Sequence, residues 1–420
     1  MNAGPAHSDA ENTRIPGKAP WKSGGMNPLT HSDKPTTKRH AQAGTASALA
    51  LYIHVPFCRQ RCAYCHFDIK VTHPKTRMEP LVERYLQALD LELAHYAERF
   101  GQRQVGSVFL GGGTPSRLDL AAMERLLDSV HRHFRMCPDP EISAEANPED
   151  LGPGVLQGWR GAGINRVSLG VQTFHDPGLK AVRRPHDGAT AFRVLANRPN
   201  FPKGCSLDLM LGLPFQNRST IVTDLQKVAD LEMEHVSVYM LERDLPTPLD
   251  KMEAGLPLPS EDDQADGYDE VSQRLQAMGY EHYEISNFAK PGFACWHNLV
   301  YWRCGDYLGL GPAAHARVGL EYWANHSQFG PYCQAIRLEG HGRERERTWS
   351  QNRLRQERLI QGLRLAAGLP RSLLTDEEWE RLAPVRSEGL LEHRDEVVRL
   401  TPRGRLLANE VFLCLLPETP

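Results

Sequence analysis

Ala48-Leu-Ala-Leu-Tyr-Ile-His-Val55-Pro-Phe-Cys58-Arg-Gln-Arg-Cys62-Ala-Tyr-Cys65 is an apolar run that feeds directly into three closely spaced thiols. Residues 48–55 have the length and content of a buried strand, so the cysteine loop hangs from a strand end. Cysteines separated by three and then two residues can take three corners of a cubane iron–sulfur cluster and leave a fourth iron without a protein ligand. Such an iron is open to chemistry. The competing reading of the loop is half of a zinc site, but zinc takes four ligands and the chain has no second Cys-x2-Cys pair. His66, adjacent to Cys65, is awkwardly placed to complete the set. Arg59 and Arg61 flank the thiols and favour the thiolate form.

Downstream, strands and helices alternate. A helix over 79–100 is followed by a strand at 105–110 that ends in Gly111-Gly112-Gly113-Thr114-Pro115. Further strands are read at Glu141–Glu145, Arg166–Leu169, Ser206–Leu211 and His235–Met240, with helices near 119–135, 150–161, 175–197 and 218–232 between them. This alternation predicts a parallel sheet with right-handed crossovers. Six units fall short of a closed eightfold barrel, so the expected fold is α/β, a partial (β/α)6 barrel over 48–245. Ligands in such folds sit at the C-terminal strand ends, where the cysteine loop, the triple glycine, Glu145, Gln172 and Asp208 fall. A glycine-rich turn there lets backbone groups approach a ligand closely, because no Cβ intervenes.

The pattern then changes. Residues 246–350 read as an α+β extension, with an amphipathic helix at 261–278 and an aromatic-rich section containing His297-Asn298-Leu-Val-Tyr301-Trp302. Residues 351–420 read as a helical, winged-helix-like module, an architecture that does not by itself imply DNA binding. Residues 1–47 are polar and Gly/Pro-rich, cannot repay the entropy of ordering, and read as a disordered tail. The alternating signs of Arg343-Glu-Arg-Glu-Arg347 read as a solvated face or loop.

Composition narrows the class. With 420 residues, 40% of them hydrophobic, the chain can bury a sizeable core, and a net charge of -3 offers no general surface for nucleic acid or anionic lipid. No stretch has the length and apolar purity of a membrane span or the short apolar core of a secretory signal, so a cytoplasmic location is expected. Nine cysteines are too sparse, and odd in number, for a disulfide scaffold. The scattered ones, Cys137, Cys205, Cys295, Cys304, Cys333 and Cys414, read as buried or idle thiols.

The cysteine spacing, with Tyr64 inside its last interval, resembles the signature of the radical S-adenosylmethionine (SAM) superfamily. The resemblance continues through Tyr52-Ile-His-Val-Pro-Phe-Cys58, Gly111-Gly-Gly-Thr-Pro-Ser116, Glu145-Ala-Asn-Pro148 and Leu169-Gly-Val-Gln172-Thr-Phe174. It extends to Asp208-Leu-Met-Leu-Gly-Leu-Pro214, Tyr283-Glu-Ile-Ser-Asn287 and His297–Trp302. In that order these segments resemble the oxygen-independent coproporphyrinogen oxidase-like family and, within it, the HemW-like heme chaperones, over about residues 49–415.

The resemblance implies that Cys58, Cys62 and Cys65 bind a [4Fe–4S] cluster whose open iron is chelated by the amino and carboxylate groups of SAM. Reduction would then cleave the sulfonium to a 5′-deoxyadenosyl radical. It further implies that Gly112, Gly113 and Thr114 meet the methionine end, and that Glu145, Gln172, Arg184 and Asp208 line the SAM site between Tyr52 and Tyr64. Where HemW-like chains carry Gly-Arg-x-His, this one has Arg183-Arg184-Pro185-His186, and Pro185 restricts Arg184 to extended geometry.

Heme is the third implied cofactor, with the imidazole of His297 as axial ligand and its aromatic neighbours against the porphyrin. A packed, structural His297 is the bland alternative; Cys304 and Cys295 are alternative soft ligands, and His282 and His315 read as structural. Implied partners are heme-accepting apo-proteins, respiratory ones among them, together with a cluster-supported homodimer. Two residues past the last cysteine, coproporphyrinogen dehydrogenases of the family carry a further cysteine, whereas this chain has Phe67. That residue favours a heme chaperone over the alternative, an oxygen-independent coproporphyrinogen III oxidase that abstracts hydrogen from propionate chains. A heme-degrading radical methyltransferase is a third reading.

Overall fold

The computed structural model describes residues 48–72, 77–243, 247–252 and 255–416; the tail expected over 1–47 lies outside them. Six parallel strands pair side by side in chain order: β1 (Leu49–Val55), β2 (Gln104–Gly112), β3 (Arg135–Ala146), β4 (Arg166–Gln172), β5 (Cys205–Leu211) and β6 (His235–Met240). Parallel neighbours need a crossover each, supplied by α1 (Glu79–Phe100), α2 (Leu120–His133), α3 (Val155–Gly161), the pair α4 (Asp176–Ala181) and α5 (Gly188–Ala196), and α6 (Arg218–Asp230). The helix expected over 175–197 is thus two helices. Arg183-Arg184-Pro185 separates them, because proline disfavours helical geometry in the residue before it.

Strand alternation gives the sheet two unlike faces. The outer face carries Leu51, Ile53, Val108, Leu110, Ile142, Val167, Leu169, Leu207 and Val236, buried against helix residues such as Tyr85, Leu89, Leu93 and Leu126. Each such aliphatic side chain contributes about 1.5–3 kcal/mol when fully buried. The inner face is polar: Ser107, Glu141, Ser143, Arg166, Ser168, Ser206, Asp208, His235 and Ser237 come from β2 to β6. An inner surface of that kind is built to hold polar groups.

The section after residue 245 widens this same sheet at both edges, giving twelve strands among the described residues. Beyond β6 lie β8 (Asn287–Ala289) and then β7 (Glu281–Glu284), both antiparallel to their neighbours. Beyond β1 lie β9 (Tyr307–Leu310), which is parallel to it, then β10 (His315–Val318), β11 (Glu321–Asn325) and β12 (Arg343–Thr348). A buried carboxylate on α1 anchors this second wing. Glu92 accepts from the Gly311 N–H (2.8 Å), Asn325 Nδ2 (2.7 Å) and the Tyr332 hydroxyl (2.7 Å), and burial pushes its pKa up to about 7.

Residues 351–416 carry a hydrophobic core of their own, built on Leu359, Leu363, Leu382, Leu390, Val398, Val411 and Leu415. Helix 351–363 precedes a three-stranded antiparallel sheet (369–370, 397–400, 391–394), as a winged-helix-like module requires. Among the described residues no helix is long and apolar enough to cross a membrane.

Candidate functional site

The cysteine loop is fixed by its neighbours before any cofactor is considered. Cys58 sits in a two-residue parallel pair, Phe57–Cys58 with Lys70–Val71. Ala63, fully buried, donates its N–H to Val182 O (3.0 Å) and accepts from the Leu249 N–H (2.8 Å), so the loop is seated in a small apolar nest with Leu213 and Leu241. Arg59 and Arg117 both reach Asp150 (3.0 and 3.1 Å), whose side chain is 2% exposed. A charge held that way ties the loop to the ends of β2 and β3.

The thiols face the C-terminal strand ends. Cys58 Sγ lies 3.2 Å from Thr114 Oγ1, and Arg184 donates from Nη1 to Cys62 Sγ at 3.5 Å. Arg61 donates to the carbonyls of Cys65 and Phe67, both at 3.0 Å. Burial pushes the Cys58 thiol up to about 12 and the Cys65 thiol upward, against the pull of the Arg184 guanidinium. Among the described residues no three His, Cys, Asp or Glu groups are placed to hold one metal ion. Thiols that each bind a different iron of a cluster stand farther apart than the ligands of a single ion, so this spread fits a cluster and disfavours the half zinc site.

A cavity of about 660 Å³ opens beside the thiols and gathers Tyr64, Gly112, Gly113, Thr114, Glu145, Gln172, Arg184 and Asp208. Tyr52 lines the two cavities that adjoin it through Glu145. A Cβ on Gly112 would stand 2.3 Å from the His54 ring, and one on Gly113 would stand 2.6 Å from Val55 O, so both glycines are required where β2 crosses the end of β1. The Gly112 N–H donates to Glu145 Oε2 at 3.2 Å. Gln172 occupies the left-handed region (φ 70°) at a register shift between β4 and β5, a conformation that costs a non-glycine residue roughly 1 kcal/mol or more. Its buried Oε1 has no hydrogen-bond partner, an acceptor left for a bound donor.

Arg184 is buried and donates from Nη2 to Asn147 Oδ1 (2.8 Å) and to Gly170 O. The altered Arg183-Arg184-Pro185-His186 segment therefore still delivers a guanidinium to the thiols. Asn147, which the sequence reading passed over inside Glu145-Ala-Asn-Pro148, bridges this cation to Thr114 through Nδ2 (3.2 Å). Three thiols, a glycine cradle and an orphan amide oxygen fit a cluster and the amino-acid end of SAM. When bound, that pair supplies one-electron cleavage chemistry; the chain's own residues position it and exclude water.

His297 is not offered to an external ligand. It lies on α8 (Trp296–Trp302), and Glu141 on β3 holds the start of this helix, accepting from the backbone N–H groups of Trp296 (2.9 Å) and His297 (3.0 Å). The imidazole is 1% exposed, with Nδ1 2.9 Å from Ser107 Oγ and Nε2 3.0 Å from Tyr301 Oη. It stacks on Phe109 at 5.1 Å inside a cavity of about 170 Å³, too small for a porphyrin. The physical reason is helical spacing: residues four apart share a face, so the His and Tyr of this motif satisfy each other. Burial pushes the imidazole pKa down to about 3, which keeps it neutral.

A third cavity, about 380 Å³, lies on the other side of Glu145 and Gly112 and is walled by Tyr52, Phe67, Tyr301, Tyr307 and His315. Phe67 is 56% exposed at the rim it shares with the thiol cavity.

This fold, with a three-cysteine loop at the first strand end, defines a radical SAM protein: the Radical SAM superfamily model matches residues 52–228, and the HemN C-terminal domain model matches residues 350–407. The chain is 36% identical over 373 residues to heme chaperone HemW of Mycobacterium tuberculosis (87% of this chain, 94% of that one), and 33% identical over 381 residues to HemW of Bacillus subtilis (87% and 99%). It belongs to this HemW family. Among solved structures it is similar to coproporphyrinogen III oxidase (HemN) of Escherichia coli, a radical SAM enzyme, with a TM-score of 0.77 at 28% identity, covering 88% of this chain and 90% of that one.

Proposed function

We propose that this protein binds a [4Fe–4S] cluster, SAM and heme, and passes heme to apo-proteins. The observation that carries the reading is the shared wall: Phe67, Gly112 and Glu145 line both the thiol cavity and the aromatic cleft, so heme in the cleft would sit against the SAM site. The names of the HemW relatives support heme transfer. Cys58, Cys62 and Cys65 are the assigned cluster ligands; Gly112, Gly113, Thr114, Gln172 and Arg184 are assigned to SAM, with Tyr52, Tyr64, Glu145 and Asp208 around it. Respiratory acceptors, a cytoplasmic location and a homodimer complete the proposal.

The likeness to HemN favours a second reading, oxidative decarboxylation of coproporphyrinogen III. Against it stands Phe67, where that chemistry calls for a further cysteine. An anaerobic assay on reconstituted protein with SAM, reductant and coproporphyrinogen III decides between them. The chaperone reading expects stoichiometric heme binding and no catalytic protoporphyrinogen; sustained turnover overturns it.

A further inference from the structure

The Arg343–Arg347 stretch is strand β12, and a side-chain period of two sorts its charges. Register places His315 opposite Ala324 and Ala324 opposite Arg345; one row along, Tyr307 faces Arg317, Arg317 faces Tyr322, and Tyr322 faces Arg347. Directly paired residues share a face, so Tyr307, His315, Tyr322, Arg345 and Arg347 rise from one side of the sheet, the side that floors the 380 Å³ cleft. Arg345 and Arg347 are exposed, and neither makes an ion pair among the described residues.

His315 Nδ1 lies 2.6 Å from Tyr322 Oη, and Nε2 makes no hydrogen bond among the described residues. With the proton on Nδ1 donated to the phenol oxygen, Nε2 keeps its lone pair, the arrangement in which an imidazole binds metal while an outer partner fixes its tautomer. Burial and the nearby Arg345 push this imidazole's pKa down, which keeps the ring neutral. His297, the other candidate, stands behind Tyr301 with both nitrogens occupied.

We propose that His315 is the axial ligand of heme in this cleft, with Tyr52, Tyr301 and Tyr307 against the macrocycle and Arg345 and Arg347 receiving the propionates. The proposal rests on the heme-binding reading above and names its site. An open cleft of this volume holds the iron-bearing part of the ring and leaves the propionate edge toward the guanidiniums.

The test is a titration of full-length, cluster-reconstituted protein with ferric heme and with heme dimethyl ester, following the Soret band. A histidine-ligated spectrum is expected for the parent protein and for His297→Ala. His315→Ala should lose that spectrum and bind more than about tenfold more weakly, and Tyr322→Phe should weaken binding by about tenfold through the lost outer partner. Arg345→Ala with Arg347→Ala should weaken ferric heme up to about tenfold while leaving the ester unchanged. His315→Gln, which preserves size and a polar contact, guards against a folding artefact; retained cluster absorption in each variant reports the fold. An unchanged Soret band and affinity in both His315 variants overturns the proposal. Failure of the parent protein to bind heme at all overturns the heme reading beneath it.

Discussion

The thiol cavity and the aromatic cleft meet at Gly112 and Glu145, yet they are assembled on opposite plans. One is a local loop: three sulfurs within eight residues, clamped by Val182, Leu249 and Asp150 so that their placement survives changes elsewhere. The other has no local part. Tyr52, Tyr301, Tyr307, His315 and Arg345 come from separate segments and meet only because β1, β9, β10, β11 and β12 hold one register. A slip of one residue in β10 or β12 would turn His315 or Arg345 to the opposite face. Chemistry that needs fixed sulfur geometry is concentrated in the chain, and recognition of a broad, flat ligand is spread across the sheet.

The largest expected effect separates the two regions outright. Cys62→Ala should abolish the cluster's visible absorption and SAM binding while leaving a histidine-ligated Soret band, because no cleft wall depends on Cys62. Optical titration before and after reconstitution checks this. Loss of both signals would show that the two regions are one cooperative site.

How much of each region could be read in advance follows from the same contrast. The parallel strands and the thiol site were legible because their determinants are contiguous: apolar runs of strand length, Cys58–Cys65, and Gly111–Thr114. Arg184 was legible only by resemblance, since it reaches the thiols from the break between α4 and α5. His297 was conspicuous, but only the fold shows that Tyr301 and Ser107 take both its nitrogens. Arg343–Arg347 looked like a solvated loop because its pairing partners, Glu321–Asn325, are distant in sequence and register leaves no local trace. The alternation of sign was itself the signal of a strand with two different faces.

An intermediate effect probes how the cleft depends on the barrel interior. Glu141→Ala strands the buried N–H groups of Trp296 and His297 and removes a carboxylate that faces Arg166, so α8 loses its anchor. With two donors left unsatisfied, a loss of about 3 kcal/mol in unfolding free energy is expected. Because α8 also carries Tyr301, heme affinity should fall along with stability, while the thiol loop stays seated. Chemical denaturation and heme titration of the same variant check both; stability lost with affinity intact would detach α8 from the cleft.

The smallest effect lies at the seam itself. Burial, and then repulsion from Asp208, push the Glu145 carboxyl from its ordinary 4.5 up to about 8. The unfolded chain gives up this proton near pH 4.5, so the folded state binds it more tightly across the interval between. Its contribution to stability is therefore full below pH 4.5 and is lost as pH rises through 8. Each tenfold gain in proton affinity corresponds to about 1.4 kcal/mol, but Glu145 lines cavities open to water, so screening leaves roughly 1–2 kcal/mol in all. Glu145→Gln cannot ionise, and its denaturation midpoint, measured without SAM or heme, should gain on the parent protein steadily from pH 5 to pH 8. A constant difference over that range would mean that the carboxylate is already hydrated and that the wall between the two cavities is wet, and ionisation at the seam would then have no part in how one cavity senses the other.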